Sequence, residues 1–252
     1  MIALEPTLWA AVVAIALFAG VVKGAVGFAM PMILVSGLGT FLSPEMAIAA
    51  LILPTVGSNL WQAVRGGLGH AMAAMRAHRL YLAIVLVMIM GSAQLVRILP
   101  GNVIFLMIGV PITLFAATQL LGWRPKIAAH MRRRAEIVVG VFAGFIGGIA
   151  GSWGPPTVLY LTALETPKRE AVQIQGVVYG SASLVLLAAH LNSGVFTGER
   201  AAFSALLCIP AGLGMLAGFW LQDRLDQNRF RQLTLIVLVV AGANLIRRGL
   251  LG

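Results

Sequence analysis

Acidic residues are scarce in this 252-residue sequence, which has eight aspartates and glutamates against 18 lysines and arginines. Charged residues make up 10% of the chain, whereas about 25% is usual in soluble domains. This shortage leaves too little polar surface to cover a water-soluble domain, and the high apolar content excludes a disordered chain. No acidic residue lies in the middle of an apolar segment. We therefore expect neither a carboxylate proton relay nor a carboxylate-lined cation site.

Cysteine is also nearly absent, because Cys208 stands alone, and this excludes a fold held by disulfides. The four histidines lack the spacing of metal ligands, so we predict no metal and no cofactor. An enzyme is not predicted either. Ser152 and His190 could suggest a serine protease, but the turn around Ser152 reads Gly-Ser-Trp-Gly, which is not a nucleophile elbow.

Apolar residues, by contrast, make up 60% of the chain and fall into long runs. A bilayer core needs roughly 20 helical residues per crossing, and the runs are too long for barrel strands. The sequence therefore predicts an all-α polytopic membrane protein with about eight hydrophobic segments, or ten if the interrupted ones count twice. Their approximate spans are 7–41, 45–64, 72–97, 102–122, 135–164, 170–190, 200–222 and 230–247.

The net charge of +10 fits such a protein, since cytoplasmic loops carry excess lysine and arginine. Nucleic acid is therefore not expected as a partner. The first apolar run follows Glu5 and no basic stretch, so no cleaved signal peptide is predicted.

The two halves of the chain resemble each other. Four positions of the first half recur 124 residues later, in the pairs Gly20 and Gly144, Gly24 and Gly148, Gly27 and Gly151, and Pro31 and Pro155. Further matches in the same order favour a duplication. The predicted organisation is an N-terminal transmembrane repeat over 1–122, a basic cytoplasmic linker over 123–134 and a C-terminal transmembrane repeat over 135–252.

Segments 7–41 and 135–164 open the two repeats, and each has glycines in its middle and proline after them. The first would be roughly 50 Å long as one helix, which is too long for a simple crossing. We predict that each is broken, re-entrant or otherwise, with Gly24, Gly27, Gly148 and Gly151 opening the backbone and Pro31, Pro155 and Pro156 holding the breaks. Close helix packing is the competing role for the glycines.

The distribution of charge predicts the sidedness of the chain. If the two broken segments return to their starting side, thirteen lysines and arginines share one side and four lie opposite, namely Arg97, Arg200, Arg247 and Arg248. If all eight segments cross once, the division is eleven to six. The first arrangement obeys the positive-inside rule better. It predicts halves inverted in the membrane, with both termini periplasmic.

Paired interrupted helices are a pointer to a transport site, because unwound backbone and half-helix N-termini bind anions. Lys23, the one cation deep in an apolar run, either contacts the anion or reaches to the interface. Trp153 either walls the site or sits in an aromatic belt. The candidate substrate-binding residues are Lys23, Gly24, Gly27, Phe28, Ser58, Asn59, Gly148, Gly151, Ser152, Trp153 and Gln175. Other polar residues nearby either offer donors or bond between helices: Gln62, Gln173, Tyr179, Ser181 and Ser183.

The runs Gly20–Pro31 and Gly144–Pro156, repeated in a chain of this size, resemble those of the TauE/SafE family of sulfite exporters. The resemblance covers most of the chain. It implies export or exchange of sulfite, a sulfonate or a related organic acid across a bacterial inner membrane. Family members typically have a glycine pair in the first run, where this chain has Lys23-Gly24-Ala25, so the first cradle is modified.

We therefore predict a secondary transporter of a small anion that works by alternating access in the lipid bilayer. Uniport, proton symport and antiport all fit, and a homo-oligomer is left open. The alternatives are an anion channel and a non-transporting subunit of a membrane complex.

Overall fold

A computed structural model describes residues 5–65, 67–123, 126–222, 224 and 226–251. These residues form helices and no strands, which confirms the predicted all-α class. The helices are α1 (Pro6–Val26), α2 (Met30–Leu38), α3 (Pro44–Arg65), α4 (Leu68–Ala77), α5 (Arg79–Ser92), α6 (Gly101–Leu120), α7 (Arg132–Ala150), α8 (Gly154–Ala163), α9 (Lys168–Ser193), α10 (Gly198–Gln222) and α11 (Gln227–Leu251). Short 3₁₀ turns cover Ala93–Arg97 and Ala129–Met131.

Seven of the described helical stretches are long and apolar enough to cross a membrane, which confirms a polytopic membrane protein. They are Pro6–Val26, Pro44–Val64, Arg79–Arg97, Gly101–Leu120, Ile174–Ser193, Gly198–Leu221 and Arg231–Leu251. Helix α7 is not among them, since it begins with three arginines. Those arginines belong to the predicted linker 123–134, so the helix begins inside that linker. Arg124 and Pro125 of the same linker lie outside the described residues.

Both interrupted segments form helical hairpins. Helix α2 returns along α1, because Gly37 lies against the side chain of Ile15, so close that an added Cβ would be 2.8 Å from Cγ2. Helix α8 returns along α7 in the same way, and the hydroxyl of Tyr160 donates a hydrogen bond to Glu136 Oε1 over 3.1 Å. The predicted breaks are thus present, and each hairpin brings the chain back toward the end at which it began.

Glycine in the left-handed conformation ends the first helix of each hairpin. Gly27 has φ of 84° and its N–H bonds to Lys23 O over 2.8 Å, while Gly151 has φ of 64° and bonds to Gly147 O over 2.7 Å. This is a common helix ending, and glycine adopts it without the steric cost that a Cβ brings.

The breaks begin one helical turn later than predicted. Gly24 and Gly148 are helical, so the prediction that they open the backbone is wrong. Their lack of a side chain serves helix packing instead, which was the competing interpretation. A Cβ on Gly24 would overlap the backbone of Met215 in α10, and one on Gly148 would overlap the side chain of Ser92, the last residue of α5.

Two pairs of helices from opposite halves of the chain run antiparallel. In the pair α6 and α11, Gly109 packs on Gly242 while Gly249 packs on Asn102. In the pair α3 and α9, Gly176 packs on Ala63, whereas Gly180, one turn later in α9, also lies near Asn59, one turn earlier in α3. The hairpin helices pack on other neighbours, α1 on α10 and α7 on α5.

The chain between α6 and α7 is fastened to the end of α8. The amide of Ile127 donates a hydrogen bond to Ala163 O over 2.9 Å, and Lys126 Nζ lies 2.6 Å from Glu165 Oε1. Hydrogen bonding and attraction to the Lys126 ammonium hold the pKa of Glu165 below its usual value. The start and the end of the second hairpin are therefore held at the same end of the molecule.

Candidate functional site

The turns of the two hairpins meet around a small cavity. Its wall contains the segments on either side of both breaks, together with one residue each from α3 and α9: Lys23, Phe28, Ala29, Pro31, Met32, Asn59, Gly151, Ser152, Trp153, Gly154, Pro155 and Tyr179. The volume is about 20 Å³, which is room for about one water molecule. The cavity is thus nearly closed in this conformation.

Lys23 is 4% exposed and its ammonium group is held inside the protein rather than at an interface. It donates hydrogen bonds to Asn59 Oδ1 over 2.6 Å, to Gln62 Oε1 over 2.8 Å and to Gly27 O over 3.1 Å. The ring of Tyr179 lies beside it, with its centroid 5.3 Å from Nζ. Neutral oxygens and a π face therefore surround this cation.

A carboxylate to neutralise Lys23 is missing from the part of the chain that the structure describes. None of the ion pairs found there involves Lys23, and Lys23 is the one charged residue on the cavity wall. A buried charge without a partner is costly. The site therefore carries uncompensated positive charge that an anion would relieve.

Backbone amides at the start of α2 and α8 complete the chemistry of the site. The first hydrogen bond inside α2 runs from the Ile33 amide to Ala29 O over 3.0 Å, and the first inside α8 from the Thr157 amide to Trp153 O over 3.2 Å. Amides that precede the first such bond have no partner within a helix. Pro31 occupies the first turn of α2, and Pro155 and Pro156 occupy that of α8, where their missing N–H would have been unpaired anyway. Gly154 is therefore the one such donor in α8.

Tyr179 and Trp153 form the aromatic part of the wall. The hydroxyl of Tyr179 donates a hydrogen bond to Gly154 O over 3.2 Å, which fixes its ring beside the second break. Trp153 is 2% exposed and packs on Gly147, so it walls the site and does not lie in an aromatic belt.

The structure brings together most of the residues that the sequence predicted. On the wall are Lys23, Phe28, Asn59, Gly151, Ser152, Trp153, Pro31 and Pro155, and Gly27 supplies a carbonyl to Lys23. Outside the wall are Gly24, Gly148, Ser58, Gln175 and Pro156. The hydroxyl of Ser58 donates to Thr55 O of its own helix over 3.1 Å. The side chain of Gln173 lies outside the described residues.

Two polar residues of the site, Gln62 and Tyr179, are not among the substrate-binding candidates that the sequence predicts. Gln62 binds Lys23, and Tyr179 both lines the cavity and faces Lys23. A signal for Gln62 existed, because Asn59 and Gln62 are three residues apart and so share one face of α3. Ser152 and His190 do not form a pair, since the ring of His190 contacts Ser193, 3.4 Å away.

Comparison with known proteins gives one family and no individual relative. No curated protein and no solved structure matches the chain. Residues 12–245, nearly the whole sequence, match the family described as sulfite exporter TauE/SafE. The chain therefore belongs to the sulfite exporter TauE/SafE family, whose members are membrane permeases and not enzymes.

Proposed function

We propose that this protein is a secondary transporter that carries sulfite, a sulfonate or a related small anion across a bacterial inner membrane. We propose further that the anion binds in the cavity around Lys23. The observation that carries the proposal is a buried cation, held by Asn59, Gln62 and Gly27, without a carboxylate partner among the described residues. Membership of a sulfite exporter family supports the class of substrate.

The chemistry around Lys23 supports an oxyanion as the ligand. The ammonium group supplies charge, and the amides ahead of the first helical bonds, those of Met30 and Met32 in α2 and of Gly154 in α8, supply hydrogen bonds that suit several oxygens. Asn59 uses its carbonyl for Lys23, so its NH₂ group is what it offers to a ligand. Donors therefore come from both halves of the chain.

Alternating access is the mechanism that the shape of the site favours. The cavity has room for about one water molecule, so a polyatomic anion can enter only after the wall moves. The wall comes from both hairpins. A movement of one half against the other would open the cavity to one side of the membrane at a time.

The packing of the helices supports inverted repeats. Helices α3 and α9 hold equivalent places in the two halves, as do α6 and α11, and both pairs run antiparallel. The returning hairpins support the arrangement with thirteen basic residues on one side and four on the other. We accordingly propose a cytoplasmic basic side and two periplasmic termini.

The experiment that tests the proposal is flux into proteoliposomes made with the purified protein. Sulfite, a sulfonate and a carboxylate are compared in parallel against protein-free liposomes. We expect saturable flux of one anion and competition by its relatives. Conductance without saturation would indicate an anion channel, and no flux from folded protein would indicate a subunit of a larger complex. Either result would overturn the proposal.

Lys23→Gln tests the site itself, because glutamine removes the charge and keeps a polar group. We expect the half-saturating anion concentration to rise at least about tenfold, which corresponds to roughly 1.4 kcal/mol. Lys126→Gln is the matched control, since Lys126 lies on the surface and pairs with Glu165. Equal affinity in the two variants would remove Lys23 from the site.

A further inference from the structure

The charge balance of the cavity predicts the charge of the anion that it accepts. We infer that the site selects singly charged oxyanions, such as hydrogen sulfite or an alkyl sulfonate, over doubly charged ones such as sulfate. This inference rests on the proposed function and deepens it. Two kinds of charge face the cavity, those of side chains and the partial charges of helix ends.

Lys23 contributes one positive charge. An ammonium group has three N–H donors and no acceptor, and Lys23 Nζ has three oxygen neighbours, from Asn59, Gln62 and Gly27. A neutral amine would have to point its lone pair at one of these oxygens. The arrangement therefore fits the charged form, with all three hydrogens used.

The remaining wall residues add no charge. Asn59, Tyr179, Ser152 and Trp153 are polar but neutral, and the others are apolar residues, glycine or proline. Because the three hydrogens of Lys23 are taken by the protein, this residue offers an anion its field rather than a hydrogen bond. The net charge of the site and the hydrogen bonds that it offers to an anion are therefore supplied by different groups.

Four helix ends meet at the cavity, and their partial charges cancel in pairs. Helices α1 and α7 end there, at Val26 and Ala150, while α2 and α8 begin there, at Met30 and Gly154. A helix C-terminus carries about −0.5 and an N-terminus about +0.5 elementary charge. The four ends therefore sum to about zero and orient an anion without adding net charge.

The site as a whole consequently has a charge of about +1. A monoanion neutralises it, whereas a dianion leaves a buried negative charge without a partner, which is strongly disfavoured. A neutral ligand leaves Lys23 as unbalanced as it is in the empty site. Charge alone thus separates ligands that have similar shapes.

Methanesulfonate and sulfate provide the test, since both are tetrahedral, similar in size, and differ in charge. Flux of each into proteoliposomes of the full-length protein is measured, together with the shift in melting temperature that each causes in detergent at equal ionic strength. We expect methanesulfonate to be transported and to raise the melting temperature. We expect sulfate to need a concentration at least about 100-fold higher.

Sulfite gives a second measurement, because it passes from monoanion to dianion as the pH rises through neutrality. Its flux should fall over that range relative to the flux of methanesulfonate, which keeps its charge. The ratio corrects for any effect of pH on the protein itself. A ratio that does not change with pH would contradict the inference.

The outcomes separate the inference from the proposed function. Sulfate acting as well as methanesulfonate would overturn the charge selectivity and leave transport standing. A melting shift specific to methanesulfonate, without flux of any anion, would support the charge selectivity and overturn the transport proposal. Neither flux nor a melting shift, in protein shown to be folded, would overturn both.

Discussion

The two hairpins differ in where they carry a large side chain, because the first has it before the turn and the second has it after the turn. Lys23 precedes the first turn and Ala29 follows it, whereas the matching positions in the second half are Gly147 and Trp153. A Cβ on Gly147 would already lie 3.0 Å from Cε3 of Trp153. A second lysine at this position would therefore have to displace the tryptophan, and the glycine leaves the cavity with a single charge.

Ala29 has φ of 78°, a left-handed conformation that alanine adopts with strain. We expect Ala29→Gly to stabilise the protein by up to about 1 kcal/mol, because relief of strain outweighs the greater freedom of glycine in the unfolded chain. Thermal unfolding in detergent measures this. The control is Ala143→Gly, at a buried helical position of α7, which should destabilise by about 1 kcal/mol or more. Equal losses in both variants would contradict the prediction.

At the scale of the elements, close contact between α1 and α10 depends on positions where a Cβ does not fit. A Cβ on Gly20 would overlap the backbone of Ala211. Gly20→Ala should therefore push the two helices apart and destabilise the protein by about 1–3 kcal/mol.

Gly212→Ala is the matched control for Gly20→Ala, since a Cβ on Gly212, in α10, meets no atom within 4 Å. Its melting temperature should stay unchanged or rise slightly, because alanine has the higher helix propensity. A similar loss in both variants would mean that packing of α1 on α10 is not what excludes the side chain.

The second hairpin is braced at its open end by Tyr160, whose hydroxyl donates to Glu136, while Arg132 Nε donates to the same oxygen over 3.2 Å. Hydrogen bonds to charged groups contribute about 1.5–3 kcal/mol. Tyr160→Phe removes this hydrogen bond, so the variant should have a lower melting temperature than the wild type. If the bond to Glu136 is the cause, Glu136→Gln should cost less in the Tyr160→Phe background than in the wild type. Additive losses would contradict this.

At the scale of the whole molecule, the returning hairpins determine which loops share a side of the membrane. Cysteines are introduced one at a time at Glu5, Ser43 and Lys126 in a Cys208→Ser background, and an impermeant thiol reagent is applied from each side. Positions 5 and 43 should react from the same side and position 126 from the other, because α2 returns along α1. If the first segment crosses once, positions 5 and 43 will react from opposite sides.

The breaks could be predicted from the sequence because glycine and proline signals are local. Their position was one turn early at Gly24, since a glycine needed for packing and a glycine needed for positive φ look the same in a sequence. The sequence predicts Lys23 and Asn59 as members of the site, but not that Asn59 and Gln62 bind the ammonium group of Lys23. Asn59 and Gln62 lie 36 and 39 residues away along the chain, and helix packing alone decides which polar groups meet the lysine.

The two hairpins are unequal, since the first carries the lysine and the second carries the tryptophan, and this asymmetry has a consequence for the energetics of the proposed carrier. If the repeats were identical, the proposed outward-open and inward-open conformations would be related by a two-fold axis in the membrane plane and would have equal free energy. Here the charged residue belongs to one hairpin and the bulky aromatic residue to the other, so the two conformations bury different groups. If the protein is the carrier proposed above, its empty form will therefore favour one of the two conformations, and with it one side of the membrane from which it first binds an anion.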